Sequence, residues 1–107
     1  MLKNVDTSIT DWGIRFIEQS NDDDHLLLPS STPPKEIAKC AISLANDKGG
    51  YILLGAYSNP TLGSGYQNVD SEIVERCKPL LKGVQIEYSL HNLRMQNVYL
   101  LKIHQML

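Results

Sequence analysis

The chain reads as a mixed α/β, or α+β, domain in which a small mixed sheet is packed with about three helices. Three observations predict this. First, Ile37, Cys40, Ala41, Leu44 and Ala45 recur at helical spacing and are followed by Gly49-Gly50 and the apolar run Tyr51-Ile52-Leu53-Leu54, closed by Gly55. Second, Val84, Ile86, Tyr88 and Leu90 alternate with Gln85, Glu87 and Ser89. Third, helical and strand-like segments succeed one another along the chain, as in helices laid against a sheet. A length of 107 residues bounds the chain to one domain, and 42% apolar residues are enough for a single core.

Taken in order, Asp6 or Thr7 can cap a first helix with Ile9, Trp12, Phe16 and Ile17 on one face. Gly13 weakens it by about 1 kcal/mol relative to Ala, a cost that close packing would explain. The helix should end near Ser20-Asn21. Asp22-Asp23-Asp24 then reads as a solvated turn rather than a metal site, since the Gly and Glu of a calcium loop are missing. His25-Leu26-Leu27-Leu28 is a short strand, and Pro29 to Pro34 a loop in which Ser31 or Thr32 caps the second helix. That helix should be the most buried, with only Lys35, Glu36, Lys39 and Ser43 forming a wet stripe.

Gly49 or Gly50 can take the left-handed conformation that ends a helix without a Cβ clash. Tyr51 to Leu54 is too short for a helix and apolar throughout, the pattern of a central strand covered on both faces. Ala56 to Tyr66 contains Asn-Pro and Gly-Ser-Gly and predicts a long loop or loose hairpin. It is no phosphate-cradling loop, because the Lys-Ser/Thr ending is missing. Asp70 or Ser71 caps a third helix with Ile73, Val74 and Cys77 inward, and Leu80 and Leu81 after them; Pro79 should end or kink it. A strand over residues 84–90, a turn at 91–95 and an antiparallel strand over 97–104 complete the order. Val98 to Ile103 is apolar, so a covered sheet edge there would favour the first domain of a longer protein over a complete small one.

Composition narrows function. A net charge of −2 weighs against a strongly basic nucleic-acid surface but leaves room for a local patch. Cys40 and Cys77 lie in no CxxC pattern and read as reduced, buried thiols of a cytoplasmic protein. No apolar run is long enough to span a membrane, and Met1 to Asp6 lacks the apolar segment of a signal peptide. His25, His91 and His104 stand apart from one another, with no nucleophile, base and orienting partner at useful spacing.

The segment Ser43-Leu44-Ala45-Asn46-Asp47-Lys48-Gly49-Gly50, continued by Tyr51 to Ala56, resembles the Schlafen-type Alba-like domain. In that family a helix ends in an A-x-A-N-x-x-G-G turn, and the strand that follows closes on Gly-Val. The order of later elements also fits, with Asn97 to Ile103 in the place of the family's last aliphatic strand, and the resemblance covers residues 7 to 105. It implies a nucleic-acid-binding module, of DNA or RNA, within a larger regulatory or defence-type protein. Some family members cleave structured RNA with carboxylates from an E-x-x-x-L-E-F-K segment and an acid past the Gly-Val strand end. Here Asp22 could stand for the first acid, but Leu27 stands at the second, Pro29 replaces the lysine, and Tyr57, Ser58 and Asn59 bring no carboxylate. One acid does not hold the cations that metal-assisted phosphoryl transfer needs. The expectation is therefore no catalysis, no cofactor and no metal.

The candidate nucleic-acid contacts are Lys35, Lys39, Asn46 and Lys48 with the Gly49 and Gly50 amides. Plain turn geometry also accounts for both glycines, and Lys48 suits a helix C-terminus without any ligand. Arg76, Lys78, Lys82, Arg94 and Lys102 are scattered. The competing expectation is an interaction or oligomerisation domain, a homodimer or a unit docked on other domains of its polypeptide. Its candidate contacts are Tyr57, Tyr66, Tyr88 and Tyr99, with Tyr88 better suited to the core.

Overall fold

A computed structural model describes residues 4–20 and 22–106. Met1, Leu2, Lys3 and Asn21, on which the signal-peptide reading and the end of the first helix partly rest, lie outside the described residues. The fold is a mixed α/β domain. The elements run α1 (Trp12–Glu18), β1 (His25–Leu28), α2 (Pro34–Asn46), β2 (Gly50–Leu54), β3 (Ala56–Asn59), β4 (Gly63–Tyr66), α3 (Ile73–Cys77), a 3-10 turn (Lys78–Leu80), β5 (Ile86–Leu93) and β6 (Gln96–Ile103). No helix among the described residues is long and apolar enough to cross a membrane.

Four strands form the main sheet in the order β1-β2-β6-β5. β1 is parallel to β2, with His25 opposite Tyr51 and Leu28 opposite Leu54. β6 is antiparallel to both β2 and β5. All five residues of β2 are buried. Its alternate side chains feed two cores, because successive strand residues point to opposite faces. Ile52 and Leu54 join Leu101 and Ile103 under α2 and α3. Tyr51 and Leu53 join Val98 and Leu100 under Trp12, Phe16 and Ile17 of α1 and Ala56 of the β3–β4 hairpin. The result is three layers, with helices on one face and a helix plus a two-stranded ribbon on the other.

Several local expectations are corrected. α1 begins at Trp12, not near Asp6: the Asp6 carboxylate instead accepts the Ser8 amide at 3.0 Å and the Ser8 hydroxyl at 2.6 Å, which closes a separate turn. Ile9 is left 37% exposed. α2 has Pro33 at its cap and Pro34 in its first turn, while Thr32 Oγ1 donates to the Pro29 carbonyl. α3 follows Glu72, although the Asp70 carboxylate accepts the Glu72 amide at 2.9 Å, and the 3-10 turn continues it through Pro79. Leu81 turns inward and Leu80 stays exposed. Gly13 lies in a close contact: a Cβ there would collide with the Tyr66 hydroxyl and lie 2.8 Å from Leu93 Cδ1, so the ends of those two side chains would have to shift.

The largest corrections concern the last hairpin. β5 extends to Leu93, so the turn is only Arg94-Met95, both at positive φ (50° and 67°). β6 is an inner strand, and the edges of the sheet are β1 and β5. The alternating residues of β5 are also less covered than expected, with Tyr88 41% and Leu90 48% exposed. Tyr99, not Tyr88, joins the core, as the buried Tyr51 does, and its hydroxyl donates to the Ser71 carbonyl at 2.8 Å.

Candidate nucleic-acid interface

α2 is amphipathic because Ile37, Ala38, Ala41, Leu44 and Ala45 all face the sheet. The remaining arc holds Lys35, Lys39, Ser43 and Asn46, all exposed. At 3.6 residues per turn these four fall within an arc of about 80°, and Lys35 to Asn46 spans about 16 Å along the axis. Arg15, Arg76 and Lys78 are held by Asp11, Asp70 and Glu75. Lys35, Lys39 and Lys48, in contrast, have no ion-pair partner among the described residues. The unpaired cations of α2 thus share a stripe with an amide side chain, and Lys48 stands just past its end.

The turn after α2 closes on a left-handed glycine as expected, but both glycines lie buried and do not present their amides at the surface. Gly49 takes φ +79°, and its amide donates to the Leu44 carbonyl at 2.8 Å. Gly50 opens β2 opposite Ile103. Both glycines are buried. Their role in this geometry is to let chains pass closely: a Cβ on Gly49 would sit 2.7 Å from the Ile103 carbonyl oxygen, and one on Gly50 2.7 Å from that of Asp24. The wet surface of the turn is made by Asn46, Asp47 and Lys48 instead. Residues past β6 pack here, with the Met106 amide donating to the Ala45 carbonyl and Gln105 Nε2 to that of Asp47.

Beside this turn lies a pair that pattern reading missed. Asp24 is only 7% exposed and His25 is fully buried, so the acidic run is not uniformly solvated. His25 Nδ1 lies 2.7 Å from Asp24 Oδ1, and its ring packs 4.9 Å from Phe16 and 5.9 Å from Tyr51. His25 Nε2 is buried with no hydrogen-bond partner among the described residues. An acid directly before a histidine at the start of an apolar strand was the available signal. Burial pushes the Asp24 carboxyl up, but the His25 hydrogen bond and charge, with Lys48 nearby, more than offset it and leave it below the ordinary range. Asp22, Asp24 and His25 also bring one ligand atom each to within 4.8 Å of one another, a carboxylate–imidazole set that could hold a divalent cation.

A lowered folded-state value has a definite sign. The stability that Asp24 contributes is fully present above the unfolded carboxylate range and is lost as pH falls through the lowered value. Acidification below about pH 4 should therefore destabilise the parent more steeply than Asp24→Asn, as read by urea unfolding at stepped pH.

Cys77 is buried, Cys40 is half-buried, and neither forms a disulfide. Burial raises both thiols, and Glu36 adds to the effect at Cys40. At the positions where the resemblance expects further acids, Leu27 lies within β1, and Tyr57, Ser58 and Asn59 within β3. Comparison of the chain with family models, curated proteins and solved structures finds no match.

Proposed function

We propose that this domain is a nucleic-acid-binding module without catalysis of its own, which meets a phosphate backbone with the outer stripe of α2. The observation that carries this reading is the alignment of exposed, unpaired Lys35 and Lys39 with Asn46 on one helix face, extended by Lys48. Lysines on one line neutralise successive phosphates and release their counterions, which gives affinity without base readout. Gly49 and Gly50 serve by holding the helix end and Lys48 in place, not by offering amides. The Asn-x-x-Gly-Gly turn that suggested the family also supports the reading. DNA or RNA is the ligand class, and the protein works as one part of a larger assembly.

The test is fluorescence anisotropy with labelled single- and double-stranded DNA and RNA across a salt series. Two or three phosphate contacts should give a log–log salt slope of about −2 to −3 on duplex DNA. Lys35→Glu with Lys39→Glu should weaken binding by on the order of tenfold or more and flatten that slope. Absence of salt-dependent binding to all four ligands, or unchanged affinity in the double variant, would overturn the reading. RNA cleavage on adding Mg or Mn, lost in Asp22→Ala, would overturn the non-catalytic part.

A further inference from the structure

β5 is an edge strand whose one charged residue is Glu87, and among the described residues it has few of the other usual protections. Its eight residues pair with β6 without interruption from Ile86–Ile103 to Leu93–Gln96, so no bulge twists the edge away. It contains no Pro and no Lys. The orientation of its backbone follows from one bond just before it, where the His104 amide donates to the Gln85 carbonyl at 3.0 Å. Hydrogen-bonded and non-hydrogen-bonded pairs alternate along an antiparallel ladder. Glu87, Ser89, His91 and Leu93 therefore share the inward orientation of Gln85. The amides and carbonyls of Ile86, Tyr88, Leu90 and Asn92 point away from the sheet, with no partner among the described residues.

We infer that this edge pairs with the same edge of a second copy, antiparallel about a two-fold axis at Ser89, to make one continuous eight-stranded sheet. The axis must stand perpendicular to the sheet, so opposed residues share a face and their numbers sum to twice that of the residue on the axis. Centring on Ser89 sets Tyr88, whose hydroxyl is held by Lys78 and Glu75 while its side chain stays 41% exposed, opposite Leu90 of the second copy, an aromatic–aliphatic pair made from the two large exposed side chains of the strand. It sets Glu87 opposite His91, an acid against an imidazole rather than two like charges. Centring on Tyr88 or Leu90 instead would place each of these side chains against its own copy and leave Glu87 facing Ser89 or Leu93. The inference is independent of nucleic-acid binding, and the two fail separately.

Light scattering on the parent chain should show a concentration-dependent dimer. Leu90→Lys should shift it to monomer while circular dichroism stays unchanged, because Leu90 lies outside the core. The register has its own readout. In the paired sheet the two Ser89 residues form a non-hydrogen-bonded pair with Cα atoms about 4.5 Å apart, within disulfide reach. Two copies of Asn92 would be about 20 Å apart. Ser89→Cys should form an intermolecular disulfide at least about tenfold faster than Asn92→Cys, with the parent as control for Cys40 and Cys77. A parent that stays monomeric through the high-micromolar range would overturn the proposal. So would a dimer that survives Leu90→Lys, or that cross-links no faster through position 89 than through position 92.

Discussion

Gly49→Ala should cost the domain on the order of 3 kcal/mol, with no ligand involved. The residue sits at φ +79°, where an L side chain is strained. The added Cβ would lie 2.7 Å from the Ile103 oxygen and 3.1 Å from the Gln105 nitrogen. Both are backbone atoms, so no rotamer change relieves the contact. Either α2 must unwind at its end or β6 must move off β2, and both elements hold the core. Urea unfolding should show a lower midpoint with an unchanged slope. An unchanged midpoint would show that the turn accommodates the Cβ without strain.

Phe16→Ala should cost about 3–5 kcal/mol, a large share of the roughly 5–15 kcal/mol that holds a domain together. Phe16 is 1% exposed and packs its ring against His25 at 4.9 Å and Tyr51 at 6.5 Å. Few neighbours can collapse into the space, since Tyr51 belongs to an inner strand and His25 is tied to Asp24. For a chain of this size the loss corresponds to a fall in Tm of at least about 15 °C. Phe16→Leu, which keeps most of the volume, should lose well under half as much. Equal losses in the two variants would show that the ring's volume is not what Phe16 contributes.

The parts of this fold that the sequence announces are those decided locally. A helix apolar on its inner side, a residue free to take positive φ and a short aliphatic run together specify α2, Gly49 and β2. The pairing of β5 with β6 follows equally well from a short connection between two strand-like segments. Strand order does not follow, because it depends on partners distant in the chain. β6 therefore looked like an edge, although β2 comes to lie beside it. Alternation in β5 identified which side chains share a face, yet not that the short α3 leaves Tyr88 and Leu90 exposed.

At the candidate interface the lysines and Asn46 could be placed on one stripe from spacing alone. The fate of the glycine amides could not, since it depends on which carbonyl lies within reach of Gly49. Asp24 was hidden by its neighbours. Three consecutive acids suggest water, but the third closes the turn into β1, where the His25 ring meets its carboxylate at 2.7 Å and both lie buried. Asp6 erred in the other direction: a good capping residue was present, but it served a turn instead of a helix.

The inner position of β6 has a consequence for biosynthesis. Its partners in β2 precede it by roughly fifty residues of chain, a long loop to close before any ladder bond forms. On the ribosome, α1, β1, α2 and β2 emerge well before β6, and Ile52, Leu53 and Leu54 wait beside an open strand edge until β6 is released. That interval is when the nascent chain is most exposed to misassociation. Slow translation downstream of β2 should therefore lower soluble yield far more than equal slowing upstream of it.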